Sequence, residues 1–167
     1  MLKISLIVFL SAMLISVSAH ARINFRDLEE VKDSAVDLYR AAVELYDQCY
    51  ELKQAIRDIP GYHEIDELKD ALSLGQSCFS IAADAKFQAD SAADKLGMAV
   101  RSISSSNCVE KWNDGDWNSE SQFNNCKEFI EWFEDGQTML QRAAQTYDNG
   151  VDKFNKARGL LQKLIDD

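Results

Sequence analysis

The sequence predicts an all-α fold: an elongated antiparallel three-helix bundle stapled by two disulfides, rising to four or five helices if the second or third breaks at a glycine. Three observations carry this. Apolar residues recur at 3-4 spacing over most of the chain. Proline occurs once, at Pro60, where it leaves the long periodic segments intact. Four cysteines, an even number, all lie downstream of an N-terminal export signal.

The export segment is set aside before any reasoning about the fold. Lys3 provides a short basic start, Ile4 to Val17 is apolar apart from two serines, and Ala19-His20-Ala21 offers the small residues that a signal peptidase reads. Residues 1–21 are therefore read as a signal peptide, with Val17-Ser18-Ala19 as a second cleavage site. The apolar run falls short of the ~20 residues of a spanning helix. Residues 22–167 are then a single helical bundle domain of a secreted, extracellular protein, or a periplasmic one if the source is bacterial, with no stable membrane insertion.

The first helix is expected from Asn24 or Asp27 to Ile59. Leu28, Val31, Ala35, Leu38, Ala42, Leu45, Cys49, Leu52, Ile56 and Ile59 form one unbroken stripe that requires partner helices. Pro60-Gly61 stops the helix and turns the chain. The second helix is expected from His63 to Ile103 in the register Ile65, Leu68, Leu72, Gly75, Phe79, Ala82, Lys86, Ala89, Ala93, Leu96, Val100 and Ile103. Ser104 to Asn118 breaks the pattern, and Ser119 is a candidate N-cap for a third helix. That helix carries Phe123, Cys126, Ile130, Phe133, Leu140, Ala144, Tyr147, Val151, Phe154, Leu161 and Ile165. Its register stays in phase across Asp148-Asn149-Gly150, so continuity is expected there. Small residues recur every seven positions on both later helices: Cys78, Ala85, Ala92 and Ala99, and Gly136, Ala143, Gly150 and Ala157. Ala85 is expected near Ala143 and Ala92 near Gly136.

Helix length restricts the disulfides. At ~1.5 Å per residue the second helix would run roughly 60 Å, so cysteines near its opposite ends cannot meet. Cys49 and Cys78 lie at similar heights on either side of Pro60, and Cys108 and Cys126 flank the later connection. The pairs Cys49–Cys78 and Cys108–Cys126 are expected, since bonded cysteines need Cα atoms within about 7 Å. Neither C-x-x-C nor paired Cys/His spacing occurs, which argues against redox catalysis and structural zinc.

Charge excludes some partners. Cleavage removes Lys3 and no acid, leaving 17 basic against 28 acidic residues, a net charge of about −11. Nucleic acid requires a basic face, and here the cations are scattered among carboxylates. Chemistry has little to stand on either. His63 is the only histidine after the signal, and no phosphate loop, dinucleotide fingerprint or G-x-S-x-G is present. A non-enzyme with no cofactor follows.

The connection from Cys108 to Glu120 is the most informative local segment. Asp114, Asp116, Asn118 and Glu120 alternate as oxygen ligands do in the first half of a calcium loop, but Ser119 stands where the turn requires Gly and Asn125 where the bidentate Glu belongs. No metal site is expected. Trp112 and Trp117 in the same segment either fold back as a cap on Phe123, Phe129, Trp132 and Phe133 or anchor a partner. Trp112, Asp114, Asp116 and Trp117 are the candidate partner-binding loop, with Cys49, Cys78, Cys108 and Cys126 as disulfides.

The expected function is that of a secreted binding protein acting through protein–protein interaction with an extracellular protein, as inhibitors and salivary or venom effectors do. The alternatives are a carrier of an apolar small molecule or lipid and a bacterial periplasmic chaperone or accessory protein. A monomer is favoured over a homodimer, because three helices can satisfy one another. In architecture the chain resembles plant secreted inhibitors of cell-wall enzymes, also four-cysteine helical bundles. Those have two closely spaced cysteines near the mature N-terminus, which this chain lacks, so no family membership follows.

Overall fold

The computed structural model describes residues 24–166, all of whose regular structure is helical. The export segment lies outside the described residues. The elements are α1 (Phe25–Arg57), a 3-10 turn (Tyr62–Glu64), α2 (Asp66–Ser105), α3 (Cys108–Asp114) and α4 (Glu120–Asp166). The expectation of three helices is thus corrected to four among the described residues. The extra one, α3, occupies much of the connection that the Ser- and Asn-rich composition suggested would be irregular. Both glycine-containing long helices, α2 and α4, are continuous.

Each boundary has a local cause. Gly61, at φ 74° and ψ 14°, takes the third position of a turn that Tyr62 N–H closes by donating to the Ile59 carbonyl (3.2 Å). Pro60 suits the preceding position of such a turn, and glycine adopts this backbone without steric cost. The chain then makes one 3-10 turn before α2, so α2 starts at Asp66 rather than His63. Asn107 adopts the left-handed conformation (φ 53°, ψ 32°) and separates α2 from α3. Asparagine tolerates that region better than most side chains. Gly115, also left-handed, ends α3 with its N–H on the Lys111 carbonyl. Ser119 caps α4: its Oγ accepts from Gln122 N–H, and Gln122 Oε1 in turn accepts from Asn118 N–H.

The chain forms two compact units. One takes in the chain up to Asp37 together with Ala89–Gln141. Its buried residues include Leu28, Val31 and Ala35 of α1, Leu96, Ala99, Val100 and Ile103 of α2, and Ile130, Phe133 and Leu140 of α4. Cys108–Cys126 joins α3 to α4 here, with Cα atoms 5.4 Å apart. Gly136 lets α4 approach α2 closely, because a Cβ at that position would lie 2.8 Å from Leu96 Cγ. The expected neighbour was Ala92, one turn earlier. The heptad of small residues is real, but its partner position is taken by a large side chain that fills the space a missing Cβ leaves.

The other unit comprises Leu38–Gln88 and Arg142–Asp167. Leu38, Ala42, Leu45, Cys49 and Ile56 of α1 are all at most 1% exposed, so the predicted stripe is the buried face of that helix. Cys49–Cys78 bridges α1 and α2 with Cα atoms 5.7 Å apart. Gly75 lies against the Lys53 backbone, so contacts run in opposite directions along the two helices. Beside the Pro60 turn, Ile56, Leu68 and Ala71 form a buried cluster onto which Leu52, Tyr62, Leu160 and Leu164 pack. Gly150 of α4 faces Leu45, Ile81 and Ala82. Ile165, assigned to the stripe of the third helix, is instead 77% exposed near the end of α4.

Candidate partner-binding loop

The candidate loop is built from α3, the segment 115–119 and the first turn of α4. Trp112 lies on α3, one turn after the disulfide-bonded Cys108. Asp114 is the last residue of α3, and Asp116 and Trp117 follow the Gly115 corner. Trp112 stacks on Phe123 of α4 with centroids 5.9 Å apart and planes 4° from parallel. Trp117 meets both rings edge-on, 5.9 Å from Trp112 and 5.1 Å from Phe123. Such pairs contribute roughly 0.5–1.5 kcal/mol each beyond area burial, enough to hold a short helix that intrinsic propensity would not.

The two tryptophans therefore do fold back, but only in part. Both are half-buried, and Phe123 is exposed at 36%. The surface expected to receive them is smaller than anticipated. Phe129 and Trp132 pair with each other at 5.4 Å, and Phe133 is in the core. Glu110, Asp114, Asp116 and Glu120, close in sequence to these rings, are exposed. The result is a three-ring apolar patch with acidic neighbours, fixed at both ends by Cys108–Cys126.

Beside the patch is a polar cleft of about 600 Å³. It is lined by the end of α2, by Asn107 and Lys111, by Asn118 and the Ser119 cap, and by the first turns of α4 through Asn125 and Cys126. Of the residues that alternate as in a calcium loop, Asp114 closes α3, and Asn118 donates its backbone N–H to Gln122 Oε1. Among the described residues, no group of three or more His, Cys, Asp or Glu side chains gathers as a metal site. His63 lies exposed in the 3-10 turn, its Nε2 3.7 Å from a Glu64 carboxylate oxygen.

The second unit carries a surface feature that the sequence reading missed. Phe79 of α2 packs between Tyr46 (4.4 Å) and Tyr50 (6.0 Å) of α1. Lys53 Nζ lies 4.2 Å from the Phe79 centroid and 5.2 Å from that of Tyr50, and Lys86 Nζ lies 5.4 Å from Tyr46. Its signal was present in the sequence. Tyr46, Tyr50 and Lys53 follow i, i+4, i+7 beside the apolar stripe, and Lys86 is half-buried beside the buried Ala82, Ala85 and Ala89, where its stem can lie over a ring.

No family model, no curated protein and no solved structure matches the chain. Among the described residues, no helix is long and apolar enough to cross a membrane.

Proposed function

We propose that the chain is a secreted, non-enzymatic helical binding protein that engages an extracellular protein through the loop carrying Trp112, Asp114, Asp116 and Trp117, acting as an inhibitor or effector of that partner. One observation carries the reading: two half-buried tryptophans are locked by stacking and a disulfide into a partly exposed patch. Tryptophan anchors dominate binding energy at protein interfaces, and a surface fixed before encounter loses little conformational freedom on binding. The exposed carboxylates at its edge favour a partner with a cationic rim.

Secretion is supported by the signal-like residues 1–21 and by the two disulfides. A non-catalytic role is supported by the single histidine after the signal, which lies exposed beside a glutamate. The carrier alternative is disfavoured by the close approach of Gly136 to Leu96 and by the run of fully buried alanines on α2, both of which mark tight helix packing rather than a chamber.

The test is native mass spectrometry of the mature protein from its own secretion, followed by the double variant Trp112→Ala/Trp117→Ala. A discrete protein partner is expected, and the variant should weaken that complex by about 30-fold or more, as hot-spot truncation does. A variant with unchanged helicity and disulfides that keeps full affinity refutes the loop. An apolar small molecule or lipid of a few hundred daltons in place of a protein refutes the function.

A further inference from the structure

We propose that the polar cleft beside the tryptophan patch is a binding site for a neutral, hydroxyl-rich ligand, a glycan. The inference rests on the preceding reading only in taking this region as a recognition surface, and it names the chemistry that the cleft would recognise.

Three observations support it. The first is the lining. Ser106, Asn107, Asn118, Ser121 and Asn125 present hydroxyls and amides to the cleft, and among the described residues Lys111 is its one charged side chain. No carboxylate of the described residues lines it, although 28 of the 167 residues in the chain are acidic. The second is satisfaction. The side chains of these six residues form no hydrogen bond or ion pair with another described residue, whereas Ser119 and Gln122 in the same wall are engaged in capping α4. Hydroxyls and amides both donate and accept, which is the capacity that a ring of sugar hydroxyls demands. The third is rigidity and surroundings. Cys126 lines the cleft and is bonded to Cys108, so the wall is fixed from both sides.

Charge selects between ligands. One lysine could serve an anion, but Glu110, Asp114, Asp116 and Glu120 are exposed nearby and the whole chain has a net charge of −10. That field repels sulfate, phosphate and carboxylate groups and leaves uncharged ligands unaffected. The cleft volume, about 600 Å³, lies within the ~300–1,000 Å³ usual for small-ligand sites. Trp112, Trp117 and Phe123 do not line the cleft but are the chain neighbours of the lining residues Lys111, Asn118 and Gln122, so the apolar patch adjoins the polar wall. A pyranose presents that same division: hydroxyls around its edge and a C–H face.

The experiment is an amide-resolved NMR titration of the mature, oxidised protein. The probes are N,N′-diacetylchitobiose and cellobiose, with a sulfated disaccharide as the charged comparison. A saturable shift of the Ser106, Asn107, Asn118 and Asn125 signals by at least one neutral probe is expected, with the sulfated probe weaker. Asn118→Ala/Asn125→Ala should reduce affinity about tenfold or more while leaving far-UV circular dichroism and disulfides unchanged, corresponding to the loss of one or two hydrogen bonds. The proposal is overturned if neither neutral probe moves these signals up to its solubility limit, if the sulfated probe binds more tightly, or if the asparagine variant binds as well as the parent.

A glycopeptide bearing the probe distinguishes the source. Tighter binding than the free sugar, lost in Trp112→Ala, indicates a glycan on a protein, and equal binding indicates a free polysaccharide. The two readings fail separately: the asparagine variant tests the cleft, and the tryptophan variant tests the protein interface.

Discussion

Gly136→Ala should destabilise the protein, whereas the same exchange at Gly159 should stabilise it. Both glycines lie inside α4, where alanine is favoured over glycine by about 1 kcal/mol through backbone entropy alone. At Gly159 no atom of the described residues lies within 4 Å of an added Cβ, so that gain is realised. At Gly136 the new methyl would stand 2.8 Å from Leu96 Cγ, 2.9 Å from Leu96 Cδ2 and 3.4 Å from the Leu96 backbone nitrogen. Carbon atoms rest at about 3.5–4.0 Å, so Leu96 must leave its place or the helices must part. Leu96 is fully buried, and overpacking of this kind costs roughly 1–3 kcal/mol. The net loss is about 1 kcal/mol at Gly136, and the two variants should differ by about 2 kcal/mol. Urea unfolding of oxidised protein measures this directly. In a Leu96→Ala background the sign should reverse, because the two side-chain carbons closer than 3.0 Å are gone and only the backbone nitrogen at 3.4 Å remains, and Gly136→Ala should then stabilise by up to about 1 kcal/mol. If Gly136→Ala proves as stabilising as Gly159→Ala, the close approach of α4 to α2 is wrong.

Other perturbations follow from the same structure. Cys49→Ala/Cys78→Ala should cost about 3.5 kcal/mol and Cys108→Ala/Cys126→Ala about 3 kcal/mol in chemical denaturation, since the bridges span 29 and 18 residues. Asn107→Val should cost about 1–2 kcal/mol by placing a β-branched residue in the left-handed region, while Asn107→Gly leaves thermal stability unchanged or slightly raised. Burial pushes the Asp148 carboxyl above its ordinary range, so the folded state holds that proton more tightly than the unfolded chain does. The associated stability is full below the ordinary carboxyl range and is lost as pH rises through the raised value. Asp148→Asn should therefore raise the melting temperature at about pH 7 and leave it little changed at about pH 3, and a uniform shift at both would refute the assignment.

Much of the fold was legible because the physics that sets it is periodic. The α1 stripe from Leu28 to Ile56 could be read off the chain because one face of a long helix must be buried along its length, and both disulfides followed from height along a helix of known rise. The helix α3 was not legible, because seven residues of Cys-Val-Glu-Lys-Trp-Asn-Asp have no helical drive of their own. They are held by a disulfide at Cys108 and a ring stack at Trp112, both to residues distant in sequence. Register between α2 and α4 failed for a different reason. Small residues recur along both helices, and composition does not distinguish Ala92 from Leu96 as the neighbour of Gly136. At the candidate loop, residue types drew attention to Trp112 and Trp117, but their pairing with Phe123 depends on the Gly115 corner. The polar cleft was invisible for the same reason, since Asn107, Lys111 and Asn125 share no spacing that a linear reading could detect.

The two disulfides are sequential rather than interlaced, and this determines how the molecule responds to being cut. Each closes its own loop across one of the connections, Cys49–Cys78 around the Pro60 turn and Cys108–Cys126 around α3 and Gly115. Exposed connections are where proteases act first. A single cleavage at Arg57 or in the Gly115 corner would leave one covalent molecule, its ends still tied beside the break. Only a cut along α2 between Cys78 and Cys108, or outside both loops, would separate the chain. Its bonds thus lie where hydrolysis is easiest, so digestion should first yield a nicked protein of unchanged mass plus one water, resolved into fragments only on reduction.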